Sequence, residues 1–240
     1  MGTIPTPKSP TTPSAGPPRL GIVIPARNES SRIGDVLARI EKVPGIGSHT
    51  VLVVDDGSAD GTSLVAREGG ATVVRHHVNL GKGGALRTGC EVALREQCDV
   101  IAVMDADGQH DPADLPRLVA PLLAGEADIV CAYRDFGTDM PAAMRLGNHG
   151  LSRFFQMLFG ARVTDTQCGL RAFTAEAYRK VRWRATDYSV ETEMLVRAAR
   201  AHLRLEEIEI ATIYHDRYKG TTPIDGLKIF ANMLLWRIGL

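Results

Sequence analysis

The hydrophobic period of the sequence changes repeatedly between Leu20 and Ala132, and this alternation restricts the fold more than any other feature. Apolar runs at Leu20–Ile24, Val51–Val54, Ala71–Val74, Val100–Met104 and Ile129–Ala132 are short and bounded by turn residues, which predicts buried strands. The segments between them, Arg32–Val43, Gly61–Glu68, Gly84–Gln97 and Asp114–Ala124, carry helical spacing. In the third of these, Leu86, Cys90, Ala93 and Leu94 fall on one face. Strand–helix alternation implies βαβ units, and so a mostly parallel sheet covered by helices on both sides.

After Tyr133 the pattern is less regular. A loop over Arg134–Ala143 leads to an amphipathic helix, Arg145–Phe159, then a glycine-containing strand near Gly169–Phe173. A helix Val190–His202, a strand Leu205–Thr212 and a last helix Ile224–Ile238 follow. Residues 1–18 hold six of the thirteen prolines and almost nothing to bury, so a disordered tail is expected there. Residues 19–240 are then one domain, in which 19–132 form a nucleotide-type half and 133–240 a half that carries specificity. No internal repeat is visible.

Composition removes several classes. Lys plus Arg and Asp plus Glu both number 28, so the formal charge is zero, and no nucleic-acid partner is expected. The four cysteines have neither CxxC spacing nor a histidine at zinc-finger distance, and read as small buried thiols of a reducing cytosol. No apolar run reaches the ~18–20 residues that span a bilayer, and the N-terminus lacks the apolar core of a signal peptide. A cytoplasmic protein without a transmembrane helix is expected, at most peripheral on a membrane face.

In an open parallel sheet, ligands gather beyond the carboxyl ends of the strands. The first strand here ends in Pro25-Ala26-Arg27-Asn28-Glu29, the second in Asp55-Asp56-Gly57-Ser58, and the fourth in Asp105-Ala106-Asp107-Gly108-Gln109. Two aspartates one residue apart, just past a buried strand, can both reach one hard divalent cation. Mg²⁺ or Mn²⁺ held there would neutralise a departing diphosphate. Asn79-Leu80-Gly81-Lys82-Gly83-Gly84 opens the third helix, where glycine amides and the Lys82 ammonium suit an anion. Neither a Rossmann fingerprint nor a Walker P-loop matches this segment, because the spacing and the residue after Gly81-Lys82 are wrong for both.

Together these motifs resemble the family 2 glycosyltransferases of the GT-A fold, in the branch of dolichyl- and polyprenyl-phosphate mannosyl- and glucosyltransferases. The likeness runs from Leu20 to about Leu235. It implies that the first loop binds the nucleoside through Pro25, Ala26, Arg27 and Glu29, and that Asp56 beside Val54 contacts the base or ribose. Lys82 faces the donor, Asp105 and Ala106 lie near the sugar, and Asp107 and Gln109, with Asp105, are the implied metal ligands. Arg134 and Arg145 look like the arginines that hold a lipid phosphate. Four residues after Arg145, where relatives often carry Ser, stands His149, and the resemblance implies that its imidazole replaces that contact to the acceptor phosphate. Asp165-Thr166-Gln167-Cys168-Gly169-Leu170-Arg171 matches the family's Asp-x-x-x-Gly-Phe-Arg run with Leu for Phe. Arg217 and Lys219, in a basic loop similar to one that closes on the diphosphate, join Asp105 and Asp107 as implied catalytic residues.

The implied reaction is metal-dependent, inverting transfer of a hexose from UDP-glucose, UDP-N-acetylglucosamine or GDP-mannose to a polyprenyl or dolichyl phosphate. The acceptor is already anionic, its second pKa being about 6, so it needs arginines to position it more than a base. A soluble or saccharide hydroxyl acceptor would instead require a carboxylate base, for which Asp165, Glu191 and Glu193 are candidates. Two rivals fail on sequence. A receiver-type signalling module needs a later lysine, and none occurs between Lys82 and Lys180; a processive synthase needs Gln-x-x-Arg-Trp, which is absent. Relatives often carry transmembrane helices after the catalytic part; this chain either works peripherally or is held by a separate membrane subunit.

Overall fold

The computed structural model describes residues 17–134, 142–211 and 223–239, without the side chains of 142–145 and 223–224. The expected tail therefore lies almost wholly outside the described residues, as does most of the Arg134–Ala143 loop.

The apolar runs form strands β1 (Leu20–Ala26), β2 (His49–Asp55), β3 (Thr72–Arg75), β4 (Val100–Val103) and β5 (Ile129–Arg134). Helices α1 (Ile33–Glu41), α2 (Thr62–Glu68), α3 (Lys82–Arg95) and α4 (Leu115–Leu123) alternate with them. Then come α5 (Ala142–Phe159), β6 (Arg171–Thr174), α6 (Ala175–Val181), α7 (Val190–Arg200), β7 (Leu205–Ile210) and α8 (Pro223–Arg237). The strands make one seven-stranded sheet, ordered β3-β2-β1-β4-β6-β5-β7. All neighbours run parallel except β6, which lies antiparallel to both β4 and β5.

Successive residues of the central strands feed opposite cores, as the period of two requires. Ile22, Ile24, Val53 and Ala102 pack under α1 and α4, whereas Val23, Leu52, Ile101 and Phe173 pack under α3, α6 and α7. A third cluster joins α5, α7 and α8 through Phe155, Leu195, Ile229 and Met233. Pro25 lies in a central strand yet costs no ladder bond toward β4, because that pairing stops at Val23. All four cysteines are buried and free.

Helix α6 has no counterpart in the sequence reading. It follows β6 without a turn, because Thr174 ends the strand and its hydroxyl accepts the Ala177 N–H at 3.0 Å, capping the helix. Among the described residues no helix is long and apolar enough to cross a membrane.

Candidate active site

The acidic strand ends meet at the carboxyl edge of the sheet, around a cavity of about 670 Å³. Pro25, Ala26, Arg27 and Glu29 line one side of it, and Asp105, Ala106, Asp107 and Gln109 another. The loops after β1 and β2 are stapled together to make this edge: Asn28 and Glu29 donate their N–H groups to Ser58 and Thr62, at 3.0 and 2.9 Å. Asp55 is fully buried and serves the turn. Burial alone would raise its carboxyl, but bonds from Ser58 and Ser63, with Arg75 nearby, outweigh it and hold the group low.

The charged centre is a chain of three groups. Lys82 Nζ lies 2.7 Å from Asp105 Oδ1 and 2.7 Å from Glu191 Oε1. Burial would lower the Lys82 ammonium, yet the two carboxylates push it well above its ordinary value, so it stays charged. Burial would likewise raise Asp105, but Lys82 and then His110 hold it well below the usual carboxylate range. Asp107 behaves oppositely: burial and the charge of Asp105 push its carboxyl up, offset only in part by the Gln109 N–H at 3.0 Å. A carboxylate strained in this way is one that a cation relieves. Among the described residues no group of three His, Cys, Asp or Glu side chains is placed to hold a metal ion by itself. Asp105 and Asp107 match only a hard cation that takes one or two carboxylates and completes its shell with phosphate oxygens and water.

Close approach requires glycine at several positions here, Gly169 and Gly83 among them. A Cβ on Gly169 would overlap the Asp105 carboxylate, lying 2.9 Å from its Cγ, and one on Gly83 would overlap the Ala185 carbonyl. The glycine-rich turn before α3 differs from the expected phosphate cradle. The N–H groups of Leu80 and Gly81 donate to Asp56 at 2.8 Å each, and that of Gly83 donates to Thr186 O at 2.9 Å. These amides bind protein: the Asp56 carboxylate takes those of Leu80 and Gly81, and the segment 185–186 takes that of Gly83.

At the opposite end, Arg134 at the tip of β5 gives Nε and Nη2 to Asp165, at 2.7 and 3.2 Å. Asp165 is fully buried and Arg134 lines the cavity. Arg171 is fully buried as well and bonds three backbone carbonyls, those of Cys168, Thr166 and Glu191. It thereby ties the 166–168 loop to the first turn of α7 and fixes where Glu191 stands.

Residues 21–182 match the model of glycosyl transferase family 2. The chain belongs to that family. Over 244 residues, spanning 91% of this glycosyltransferase and 96% of the relative, it is 31% identical to UDP-N-acetylglucosamine–dolichyl-phosphate N-acetylglucosaminyltransferase of Methanococcus voltae. It is 29% identical over 220 residues to undecaprenyl-phosphate mannosyltransferase of Micrococcus luteus, covering 87% of this chain and 88% of that one. Among solved structures, glucosyl-3-phosphoglycerate synthase from Mycobacterium tuberculosis in complex with UDP superposes with a TM-score of 0.73 at 25% identity, over 93% of this chain and 81% of that one. The sheet and its flanking helices are those of a GT-A glycosyltransferase.

Most of the residues picked from the sequence of this glycosyltransferase line the one cavity, Asp56 and Lys82 included. Three are placed differently from what the resemblance implies. Val54 is fully buried and turns toward α3, where a Cβ on Gly89 would lie 3.1 Å from its Cγ2, so it is a core residue and does not line the cavity. Asp56 has both oxygens engaged by Leu80, Gly81 and His76, and so shapes the loop before α3. His149 is exposed on α5 and away from the cavity, which Asn148 lines instead. Arg217 and Lys219, and the side chain of Arg145, lie outside the described residues.

The sequence reading missed His110, Asn148 and Tyr188. His110 is buried with Nε2 3.7 Å from Asp105 Oδ2, and Tyr188 places its ring 6.0 Å from Lys82 Nζ. His110 directly follows Gln109 in the acidic run, a signal that was available; nothing local in the sequence marks the other two.

Proposed function

We propose that this glycosyltransferase moves a hexose, with inversion, from UDP-glucose, UDP-N-acetylglucosamine or GDP-mannose to a polyprenyl or dolichyl phosphate. The names of the Methanococcus and Micrococcus relatives support a lipid-phosphate acceptor. The observation that carries the reading is the state of the carboxylates that a hydroxyl acceptor would need. Asp165 is consumed by Arg134, and Glu193 accepts from the Arg184 and Ala185 N–H groups and from Arg197. Glu191 alone of the three faces the cavity, with one oxygen on Lys82. An acceptor that arrives ionised does without a base, and Arg134, oriented by Asp165, is suited to hold it.

In this mechanism the donor lies along the β1 and β4 ends, with the nucleoside against Pro25, Arg27 and Glu29. Lys82 keeps Asp105 ionised and fixed beside the sugar, while Gly169 leaves Asp105 the room to stand there. The acceptor oxygen attacks the anomeric carbon from the Arg134 side as the bond to the diphosphate breaks. Asp107, with Asp105 and Gln109, would hold Mg²⁺ or Mn²⁺, which when bound offsets charge on the leaving nucleoside diphosphate. The Mycobacterium tuberculosis synthase is crystallised with Mn²⁺ or Mg²⁺ and UDP, which supports such a cation here. Arg217 and Lys219 would add charge at the same leaving group. A lipid acceptor puts the work at a membrane face, and the exposed apolar residues of α5 and α8 beside Arg153, Lys228 and Arg237 support peripheral docking there.

A second reading has its own support. Among the described residues Glu191 Oε2 is buried without a hydrogen-bond partner, and as a base it would serve a soluble or saccharide hydroxyl acceptor. The test is sugar transfer from each labelled donor with Mg²⁺ or Mn²⁺, with and without polyprenyl phosphate. An organic-extractable labelled product supports the lipid reading and identifies the sugar. Donor turnover that ignores the lipid overturns it in favour of the Glu191 route.

A further inference from the structure

Three buried side-chain atoms lack a hydrogen-bond partner among the described residues: His110 Nδ1, Asn148 Nδ2 and Glu191 Oε2. All three residues line the cavity. An unmet buried polar atom is costly and native structures hold few, so three around one cavity mark positions that a ligand satisfies. His110 and Glu191 belong to the Asp105–Lys82 group at the donor end.

Asn148 is the third of these residues. It is 9% exposed and projects from α5. One turn later on the same face, buried Ser152 donates its hydroxyl to Thr164 O at 3.0 Å. Thr164 adjoins Asp165, the residue that orients Arg134. This bond fixes α5 beside the segment that orients Arg134, and Asn148 and Arg134 line the same cavity. His149 is turned about 100° further round the helix and is exposed.

We propose that Asn148, and not His149, completes the binding site for the acceptor's phosphate, donating its side-chain amide to a phosphoryl oxygen beside Arg134. The proposal rests on the polyprenyl-phosphate reading above. A carboxamide suits the position chemically: its two N–H donors reach an anion without the desolvation cost of burying a further charge next to a guanidinium. It also accounts for the unmet Nδ2, which becomes bonded when acceptor is present.

The experiment uses the full chain, a short-chain polyprenyl phosphate in detergent micelles and the labelled donor that the wild type turns over. Asn148→Asp places an anion against the phosphate and is expected to raise the acceptor KM at least 100-fold, with Asn148→Ala near tenfold. The donor KM stays within about twofold, Asn148→Ser falls between wild type and alanine, and His149→Ala behaves as wild type. Thermal melts identify any variant that is misfolded; the small polar Ser variant then carries the comparison. A normal acceptor KM in folded Asn148 variants overturns the proposal. So does a donor KM that rises as much as the acceptor KM, or a larger effect at His149. A wild type that makes no lipid-linked product overturns the acceptor reading itself and takes this proposal with it.

Discussion

A methyl group on Gly169 has nowhere to go but into the Asp105 carboxylate. Gly169→Ala should therefore leave the fold standing and push Asp105 off Lys82, lowering kcat by about 100-fold with a smaller change in donor KM, as steady-state kinetics will show. Asp107→Ala should bring metal-dependent turnover to background while the melting temperature stays near that of the wild type. Activity that persists in that variant, with or without Mg²⁺, removes the cation from the mechanism. Asp105, Asp107, Lys82 and the first loop were legible because glycines and carboxylates past apolar runs have few other uses. Asn148 was not, since one asparagine in an amphipathic helix looks like any other until the direction of α5 is known. Val54 misled for a related reason: nearness in sequence to Asp55 and Asp56 places it at a strand end, but only the pleat decides which face its side chain takes.

At the level of elements, the glycine turn before α3 and the segment 184–186 act as a pair. Gly83 gives its N–H to Thr186 and receives the Trp183 indole N–H on its own carbonyl at 2.8 Å. Gly83→Ala should cost about 1–3 kcal/mol in urea unfolding, since backbone lies where the methyl would go. The stapled loops after β1 and β2 respond to acid. The Thr62 hydroxyl, with further bonds from Ser30, holds Asp60 down at about 2. Its folded value lies below its unfolded one, so its contribution is present above pH ~4 and is lost as pH falls toward 2. Asp60→Asn should flatten the fall in melting temperature over that window. All seven strands have a counterpart in the sequence, the first five because their apolar runs end in turn residues, and so do the helices between those five. The antiparallel direction of β6 and the existence of α6 were not readable. Thr174 serves both elements, and no glycine or proline separates them, so the run had no visible break.

Across the whole molecule, the outer surface of α5 and α8 leaves Leu146, Met157, Leu227, Leu234, Leu235 and Ile238 exposed, while Phe155, Ile229 and Met233 enter the core beneath. The chain should cosediment with vesicles containing anionic lipid, less so as salt is raised, and the double change Leu234→Asp and Leu235→Asp should abolish this without loss of donor binding. Equal recovery with and without vesicles would remove these helices as a docking surface. The position of β6 has a bearing on how the protein is made. Its partner β4 keeps an open edge until residues 171–174 have been synthesised, and Gly169, which seats Asp105, arrives in the same stretch. A nascent chain that has emerged only through β5 holds Glu29, Asp105 and Asp107 and still lacks both the geometry of the donor site and Glu191, the second carboxylate on Lys82. Ribosome-bound fragments ending before residue 169 should bind no nucleotide sugar, and competence should appear only once β6 has closed the gap between β4 and β5 and the following segment has brought Glu191 to Lys82.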